Sequence, residues 1–443
     1  MRHQKSNFSS TIAIGFMLFA LFFGAGNLIF PVLMGQMSGT QVWGATAGFI
    51  VTGVGLPLLG VLAIGFSGQK DLYTMANRVH PMFGLVFTTV LYLAIGPLFA
   101  IPRTGSVSFE VGIKPLLGEN DSFVPLMIFS IVFFLVTLIF SLKPGKIVDI
   151  VGKVLTPILL IFIAILIGTA IINPMGDFGT PSEKYMDSSF FKGFQEGYLT
   201  MDTLASFVFG IIVINAVKEK GARTKSEVLK SCFKSAMIAA LLLAIIYGGL
   251  SYLGAASVSK IGLLDNGGAI LAATSGHYFG SYGSLILGMT VIAACLTTSI
   301  GLVTACASYF NEIIPSVSYK TFAIVLSVFS AIVSNVGLSQ LIAISVPVLT
   351  AIYPLAICLI FLTFLHRFFK GQPLVYILSL SFTFIVSLFD GLNAAGLGIQ
   401  AINDLFSLLP LYSVGLGWLV PAIVGAIIGY VLTFNSKREM ITE

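Results

Sequence analysis

Charged residues are scarce in this sequence, because Asp, Glu, Lys and Arg together make up only 9% of its 443 residues. Hydrophobic residues make up 57%, and the mean hydropathy is +1.01. A soluble domain carries about 25% charged residues, so this composition excludes that class and predicts an all-α polytopic membrane protein. The net charge of +5 does not indicate a nucleic-acid partner, because the basic residues fall between the apolar segments.

The residues that build metal centres and nucleophile sites are also few. The four cysteines lie in or at the edge of apolar segments without C-x-x-C spacing, which favours neither disulfides nor a metal site; they are Cys232, Cys295, Cys306 and Cys358. The four histidines lie in loops or at segment ends, and no H-E-x-x-H motif occurs; they are His3, His80, His277 and His366. We therefore expect no catalytic residues, no enzyme activity and no cofactor.

Twelve apolar segments are long enough to predict transmembrane helices within a single domain over residues 1–443. They cover roughly 10–34, 42–66, 83–108, 123–142, 147–172, 195–217, 231–254, 280–310, 319–336, 338–366, 374–392 and 414–434. Arg2 and Lys5 precede the first segment as in a signal peptide, but the apolar run is too long and lacks a cleavage site. We expect an uncleaved first helix, and a long glycine-rich outer loop from Ala255 to Tyr282.

The basic residues predict the orientation of these helices. If the N-terminus is cytoplasmic, 18 of the 23 Lys and Arg residues fall on the cytoplasmic side. An excess of Lys and Arg is typical of the cytoplasmic loops of a membrane protein. It predicts that both termini are cytoplasmic and that the number of spans is even.

The first apolar segment is interrupted by residues that a simple membrane anchor does not need. Its middle reads Phe22-Phe23-Gly24-Ala25-Gly26-Asn27-Leu28-Ile29-Phe30-Pro31. Glycine costs about 1 kcal/mol in a helix interior relative to alanine, and a buried amide needs a hydrogen-bond partner. We therefore predict a broken helix whose freed carbonyls suit a cation and whose freed N–H groups suit an anion. The alternative is a glycine-rich packing face.

Polar side chains also interrupt two later segments. The sixth contains Asp202, and an ionisable group at that depth is costly and usually functional. Asp202 would bind a substrate ammonium, help to coordinate a cation or carry a proton, unless it lies at the outer interface. The eighth contains Thr297-Thr298-Ser299, whose hydroxyls suit a hard cation or bonds back to helix carbonyls. Beside a broken first helix, we favour the cation.

The third segment contains prolines that remove backbone hydrogen bonds and kink a helix, at Pro97 and Pro102. Arg103 follows near the predicted outer end. It is either an interface arginine that snorkels to the headgroups or part of an extracellular gate.

The spacing of the interrupted segments predicts an internal repeat. The first and sixth segments are five spans apart, so the two halves must have opposite orientations. This is typical of an inverted repeat with its substrate site at the midplane. The repeats would cover helices 1–5 (10–172) and helices 6–10 (195–366), followed by two extra helices (374–434).

The motif Gly24-Ala25-Gly26-Asn27 with Phe30-Pro31 resembles the first helix of the leucine-transporter fold. The stretches Leu21–Pro31, Ile95–Thr104 and Thr200–Gly210 resemble the bacterial branched-chain amino acid:cation symporter family, over essentially all twelve spans. The resemblance implies sodium-coupled uptake of leucine, isoleucine and valine across the bacterial cytoplasmic membrane by alternating access. Its partners would be an amino acid, sodium and membrane lipid, with no nucleic acid.

The resemblance also implies which residues contact the substrate. The N–H groups of Ala25 and Gly26 would hold the carboxylate, and carbonyls around Phe22 and of Asp202 and Thr203 would take the ammonium. The further implied substrate positions are Gly24, Tyr92 closing over the carboxylate, and Ser206. An apolar pocket for the branched side chain would be furnished by Phe99, Phe207, Phe209 and Ile300.

Sodium ligands follow from the same resemblance. The hydroxyls of Thr297 and Thr298 would join carbonyls of Ala20, Phe23 and Ala294, whereas Asn27 and Thr203 match a possible second sodium site. Two alternatives on the same fold are a proton-coupled symporter, with Asp202 as the proton carrier, and an exchanger of other small apolar amino acids.

Overall fold

The structure is a computed structural model that describes residues 8–117, 123–142 and 146–442, with side chains described for 10–117, 123–142 and 157–433. Several basic residues behind the orientation prediction, including Arg2, Lys5 and Lys143, lie outside these ranges.

The described residues fold into α-helices joined mostly by short turns. In chain order these are α1 Phe8–Phe22, α2 Ala25–Ser38, α3 Val42–Ile50, α4 Leu56–Ser67, α5 Leu72–Ala76, α6 Pro81–Leu93, α7 Ala100–Gly112, α8 Phe123–Leu142, α9 Lys146–Ile172, α10 Glu183–Met186, α11 Ser189–Glu196, α12 Asp202–Glu219, α13 Lys225–Ile261, α14 Gly267–Ile313, α15 Tyr319–Ser334, α16 Leu338–Leu365, α17 Pro373–Ala394, α18 Gln400–Phe406 and α19 Leu419–Thr442.

Many of these helices have the length and composition of membrane spans. Among the described residues, seven helical stretches are long and apolar enough to cross a bilayer, and the bent pair Ser189–Thr200 and Asp202–Glu219 makes an eighth. Four shorter apolar helices accompany them: Ser10–Phe22, Pro157–Ile172, Tyr319–Ser334 and Leu419–Thr433. The all-helical, multi-pass class is confirmed, whereas the count of twelve spans stays a prediction.

The predicted interruptions of the first and sixth segments are present. Phe23 and Gly24 separate α1 from α2. The sixth segment consists of α11, one 3₁₀ turn at Gly197–Thr200, and α12 after a bend of 49°. Met201 occupies this bend with φ +63°, a left-handed conformation that costs a non-glycine residue of the order of 1 kcal/mol or more.

The third segment is also interrupted. Its two halves, α6 and α7, are joined by a π-helical turn at Ala94–Leu98. Within this turn Gly96 has non-helical dihedrals (φ −99°, ψ −125°), just before Pro97. The stretch predicted as a structured outer loop, Ala255 to Tyr282, is largely helical: α13 continues to Ile261, α14 begins at Gly267, and Gly280 interrupts α14 with non-helical dihedrals (φ +62°, ψ −156°). Glycine serves close packing here: a Cβ on Gly267 would lie 1.9 Å from the Ile29 carbonyl oxygen.

Close backbone contact fixes α2 against α13. A Cβ on Gly35 would lie 2.1 Å from the Ser251 carbonyl oxygen, and one on Gly254 would lie 2.0 Å from the Val32 carbonyl oxygen. Only glycine permits such an approach, and small residues allow helices to pack this closely in membranes. This contact positions the second half of the broken first segment beside the C-terminal half of α13.

Candidate functional site

The two broken segments meet at a buried hydrogen-bonded triangle. Asn27, in the first turn of α2, donates through Nδ2 to Asp202 Oδ2 at 2.5 Å and also to the Tyr247 hydroxyl. The Tyr247 hydroxyl donates to the same Asp202 oxygen at 3.2 Å. All three side chains are at most 3% exposed. The triangle joins α2, α12 and α13, and it satisfies polar groups whose burial without partners would be costly.

The remaining polar atom of Asn27 stabilises the break itself. Its Oδ1 accepts a hydrogen bond from the Gly24 N–H at 3.1 Å. Both the donor and the acceptor ends of the amide are therefore engaged. Asn27 thus links the loop between α1 and α2 to the start of α12, which explains an amide at this depth.

A small cavity of about 50 Å³ lies between the two breaks. It is lined on the first-segment side by Phe22, Gly24, Ala25, Gly26 and Asn27, and on the sixth-segment side by Thr200, Met201, Asp202, Ala205 and Phe209. Arg103, Ile95, Ala100 and Thr104 of the third segment and Thr298 and Leu302 of α14 complete it, with Leu21. Ligand cavities usually exceed about 300 Å³, so this cavity is too small to hold such a ligand in this structure.

The cavity wall carries groups that favour negative charge and groups that favour positive charge. The first N–H groups of α2 lack acceptors within their own helix, and the helix dipole adds partial positive charge there. The Arg103 guanidinium lies on the same side: a Cβ on Gly26 would be 3.1 Å from its Nη1. Asp202, by contrast, presents a carboxyl group to the cavity. Such a wall suits a small molecule that bears one anionic and one cationic group.

The hydroxyls of α14 approach the break of the first segment. A Cβ on Gly24 would lie 3.5 Å from Thr298 Oγ1 and 3.8 Å from the Phe22 carbonyl oxygen. Thr297 and Thr298 both donate to the Ala294 carbonyl, at 2.8 and 3.1 Å. The bonds back to helix carbonyls are therefore formed, and they leave each hydroxyl with acceptor lone pairs. Thr298 lines the cavity, whereas Ala20, Phe23, Ala294 and Thr297 do not.

Three predicted substrate residues are not brought to the cavity. Tyr92 stacks on Tyr309 with ring centroids 4.0 Å apart, away from the breaks. The Thr203 hydroxyl donates to the Thr52 carbonyl at 3.4 Å. Ser206 lies against α4, where a Cβ on Gly60 would be 1.8 Å from its hydroxyl oxygen. The side chains of all three residues thus pack against neighbouring helices in this structure. Their roles at the substrate stay predictions, and that of Thr203 concerns its carbonyl and not this hydroxyl.

The predicted apolar pocket is brought together only in part. Phe209 lines the cavity and meets Phe22 edge-to-face, with centroids 5.8 Å apart. Phe99, Phe207 and Ile300 are buried elsewhere. Ile95, Ala100 and Leu302 line the cavity in their place.

Sequence reasoning missed Tyr247 and left Arg103 open between an interface arginine and an extracellular gate. Tyr247 is a single tyrosine in an apolar segment, and no local pattern distinguishes it from a core aromatic residue. Arg103 is only 2% exposed, so it neither snorkels to a headgroup nor lies at an outer surface. Its position one residue after Pro102, in a segment kinked at Gly96-Pro97, was the available signal.

Residues 7–436 match the family model described as branched-chain amino acid transport protein. The branched-chain amino acid permease BrnQ of Bacillus subtilis (strain 168) is 59% identical over 98% of this chain and 100% of its own length. BrnQ of Escherichia coli (strain K12) is 42% identical over the whole of both chains.

Two solved structures share the fold. Mhp1, a nucleobase-cation-symport-1 family transporter solved in a closed conformation with bromovinylhydantoin bound, superposes with a TM-score of 0.63 at 13% identity, covering 97% of this chain and 93% of Mhp1. MhsT in complex with L-phenylalanine gives a TM-score of 0.56 at 16% identity, covering 98% and 100%. At these identities the likeness concerns the fold alone.

Proposed function

Because this chain belongs to the branched-chain amino acid transport protein family, and is thus a multi-pass membrane transporter and not an enzyme, we propose that it carries leucine, isoleucine and valine into the cell together with sodium. The proposed architecture is twelve spans arranged as a five-plus-five inverted repeat with two extra helices, with both termini in the cytoplasm of a bacterium. The fold neighbours and the two broken segments support this arrangement.

The observation that carries the proposal is that the two breaks meet around one cavity, whose wall presents groups suited to an anion and a group suited to a cation. A zwitterionic amino acid matches such a wall. Its carboxylate would be held by the N–H groups of Ala25 and Gly26, and its ammonium would lie near Asp202 and the Phe22 carbonyl. Broken helices supply fixed dipoles to substrates in this way at low reorganisation cost.

The branched side chain would occupy the apolar part of the cavity. Phe22, Phe209, Ile95 and Leu302 line that part. An apolar pocket distinguishes substrates by only about 1–3 kcal/mol per methylene, because one methylene buries little area. We therefore expect leucine, isoleucine and valine to compete with one another.

The small volume of the cavity supports alternating access. A leucine side chain with its backbone groups does not fit in about 50 Å³, so the helices that line the cavity must separate to admit it. Helices α7, α12 and α14 approach α2 across this cavity. Movement of α2 relative to these three helices would open the cavity to one side of the membrane at a time.

Sodium is proposed to bind between the first segment and α14. Thr298 would supply its hydroxyl lone pairs, together with Thr297 and with carbonyls of Ala20, Phe23 and Ala294. Oxygen ligands of this kind suit a hard cation. The proximity of Thr298 to Gly24, at the break of the first segment, supports this location. Asn27 is proposed as a ligand of a second sodium ion through Oδ1, which accepts from the Gly24 N–H and keeps one further lone pair.

Proton coupling is the second candidate, because Asp202 is buried and bonded to two neutral side chains. A carboxyl group in that setting can exchange a proton as the cavity opens.

Uptake of labelled leucine into proteoliposomes tests both candidates. A sodium gradient and a proton gradient are applied separately, with choline chloride and equal pH as the control. Accumulation driven by sodium alone is the expected result. Accumulation driven only by protons would assign the coupling to Asp202, and efficient counterflow without accumulation under either gradient would indicate an exchanger.

A further inference from the structure

A second charged group at the cavity has no role in the function proposed above. Arg103, in the first turn of α7, is 2% exposed and lines the cavity. Its Nη1 donates to the Leu199 carbonyl at 2.6 Å, and its guanidinium carbon lies 5.0 Å from the centroid of the Phe30 ring. The arginine therefore contacts both broken segments, because Phe30 belongs to α2 and Leu199 to the turn before α12.

The remaining donors of this guanidinium are unused. Within the described part of the chain, Nε and Nη2 have no hydrogen-bond partner, and Arg103 takes part in none of the ion pairs. A buried arginine with unmatched donors is costly, and its contact with the Phe30 ring offsets only part of that cost. Retention of such a group at a cavity points to an anionic ligand.

The neighbouring groups identify where the anion would lie. The Arg103 Nη1 lies beside Gly26, whose N–H belongs to the first turn of α2. Guanidinium and helix N-terminus thus meet on one wall of the cavity, and both favour a carboxylate. Asp202 lines the cavity as well, but its hydrogen bonds go to Asn27 and Tyr247, and among the described residues it makes no direct ion pair with Arg103.

We propose that Arg103 is a substrate-binding residue, whose guanidinium binds the carboxylate of the amino acid together with the N–H groups of Ala25 and Gly26. This assignment rests on the proposed amino acid substrate. The carboxylate would then connect α7 to α2, while Nη1 holds the Leu199 carbonyl of the sixth segment. Substrate binding would therefore link both breaks through Arg103, and amines that lack the carboxylate would bind more weakly.

The test compares leucine with leucinol, which has a hydroxymethyl group in place of the carboxylate. Ligand-induced thermal stabilisation of the purified full-length protein gives the affinity for each compound, and weak ligands remain measurable at high concentration. In Arg103→Gln we expect leucine to bind roughly 30-fold more weakly or worse, since losing one member of a buried charge pair costs at least about 2 kcal/mol. Leucinol binding should change little, so the ratio of the two affinities falls.

Two further variants keep the test decisive. Arg103→Lys retains the charge without the planar fork, so its affinity ratio should be intermediate, and it replaces Arg103→Gln if that variant does not fold. Arg78→Gln is the matched control, because Arg78 Nη2 also donates to a backbone carbonyl, that of Ser67 at 2.7 Å, away from the cavity. Its ratio should equal that of the wild type.

The outcomes separate the two levels of the proposal. If leucine does not stabilise the wild-type protein, the proposed substrate is wrong and the role of Arg103 falls with it. A second outcome is that leucine binds the wild type, but Arg103→Gln lowers the affinities for leucine and leucinol by the same factor or changes neither affinity. In that case only the carboxylate assignment is overturned, and Arg103 is a packing residue of the breaks.

Discussion

Asn27 and Asp202 are 175 residues apart in the chain, yet the Asn27 amide donates a hydrogen bond of 2.5 Å to Asp202 Oδ2. Each residue lies in the first turn of the helix that follows a break. The bond therefore joins the two places where the backbone leaves its helical path. Any movement that opens the cavity between the breaks must preserve this bond or exchange it for another partner.

The Tyr247 hydroxyl should stabilise the junction of the breaks. Tyr247→Phe removes the hydroxyl that Asn27 and Asp202 share, and a buried polar group left unsatisfied costs about 1–3 kcal/mol. We expect a lower thermal midpoint and slower leucine uptake. Tyr252→Phe is the matched control on the same helix, because Tyr252 stacks on Trp43 and its hydroxyl bonds no described residue. Equal midpoints for the two variants would contradict the prediction.

The Asp202 carboxylate should be needed for transport. Asp202→Asn keeps the shape of the side chain but removes its charge, so we expect leucine uptake in proteoliposomes to fall by about tenfold or more, corresponding to 1.4 kcal/mol. Asp404→Asn, at an exposed position of α18, should transport normally. If Asp202→Asn loses gradient-driven accumulation but keeps leucine counterflow, the residue carries the coupling proton. Wild-type uptake would remove Asp202 from the site.

The Thr298 hydroxyl should set the sodium requirement of uptake. Thr298→Ala removes one oxygen ligand, so the sodium concentration for half-maximal uptake should rise about tenfold, whereas Thr298→Ser should restore it. Thr290→Ala is the control on the same helix, because its hydroxyl bonds back to carbonyls of that helix, those of Ile286 at 2.9 Å and Leu287 at 3.0 Å. An unchanged sodium dependence in Thr298→Ala would exclude this ligand assignment.

The contact between α2 and α13 should tolerate no side chain at Gly254. A Cβ there would lie 2.0 Å from the Val32 carbonyl oxygen, so Gly254→Ala forces the helices apart. We expect a loss of thermal stability, measured on the purified protein, by several degrees. Gly248→Ala on the same helix meets no atom within 4 Å and should be as stable as the wild type or slightly more so. A stable Gly254→Ala protein would show that this contact is not restrictive.

The sequence by itself determined the class of the protein and the positions of its breaks. Scarcity of charge and twelve apolar runs excluded every soluble class, because buried charge is costly whatever the fold. Gly24, Gly26 and Asn27 predicted the first break, and polar residues around Asp202 marked the second. These are local properties, since helix penalties and desolvation costs depend mainly on the residue and its depth.

Only the tertiary structure decided which side chains meet at the cavity. Tyr247 joins Asn27 and Asp202 because glycines let α2 approach α13, and Arg103 reaches the breaks because α7 starts after the distortion at Gly96. The same packing turns Tyr92 and Ser206 away from the cavity, towards Tyr309 and α4. The face that a helical residue presents depends on the rotation and the partners of its helix. Most residues of these segments are apolar on all sides of the helix, so hydrophobic periodicity does not indicate which side meets the cavity.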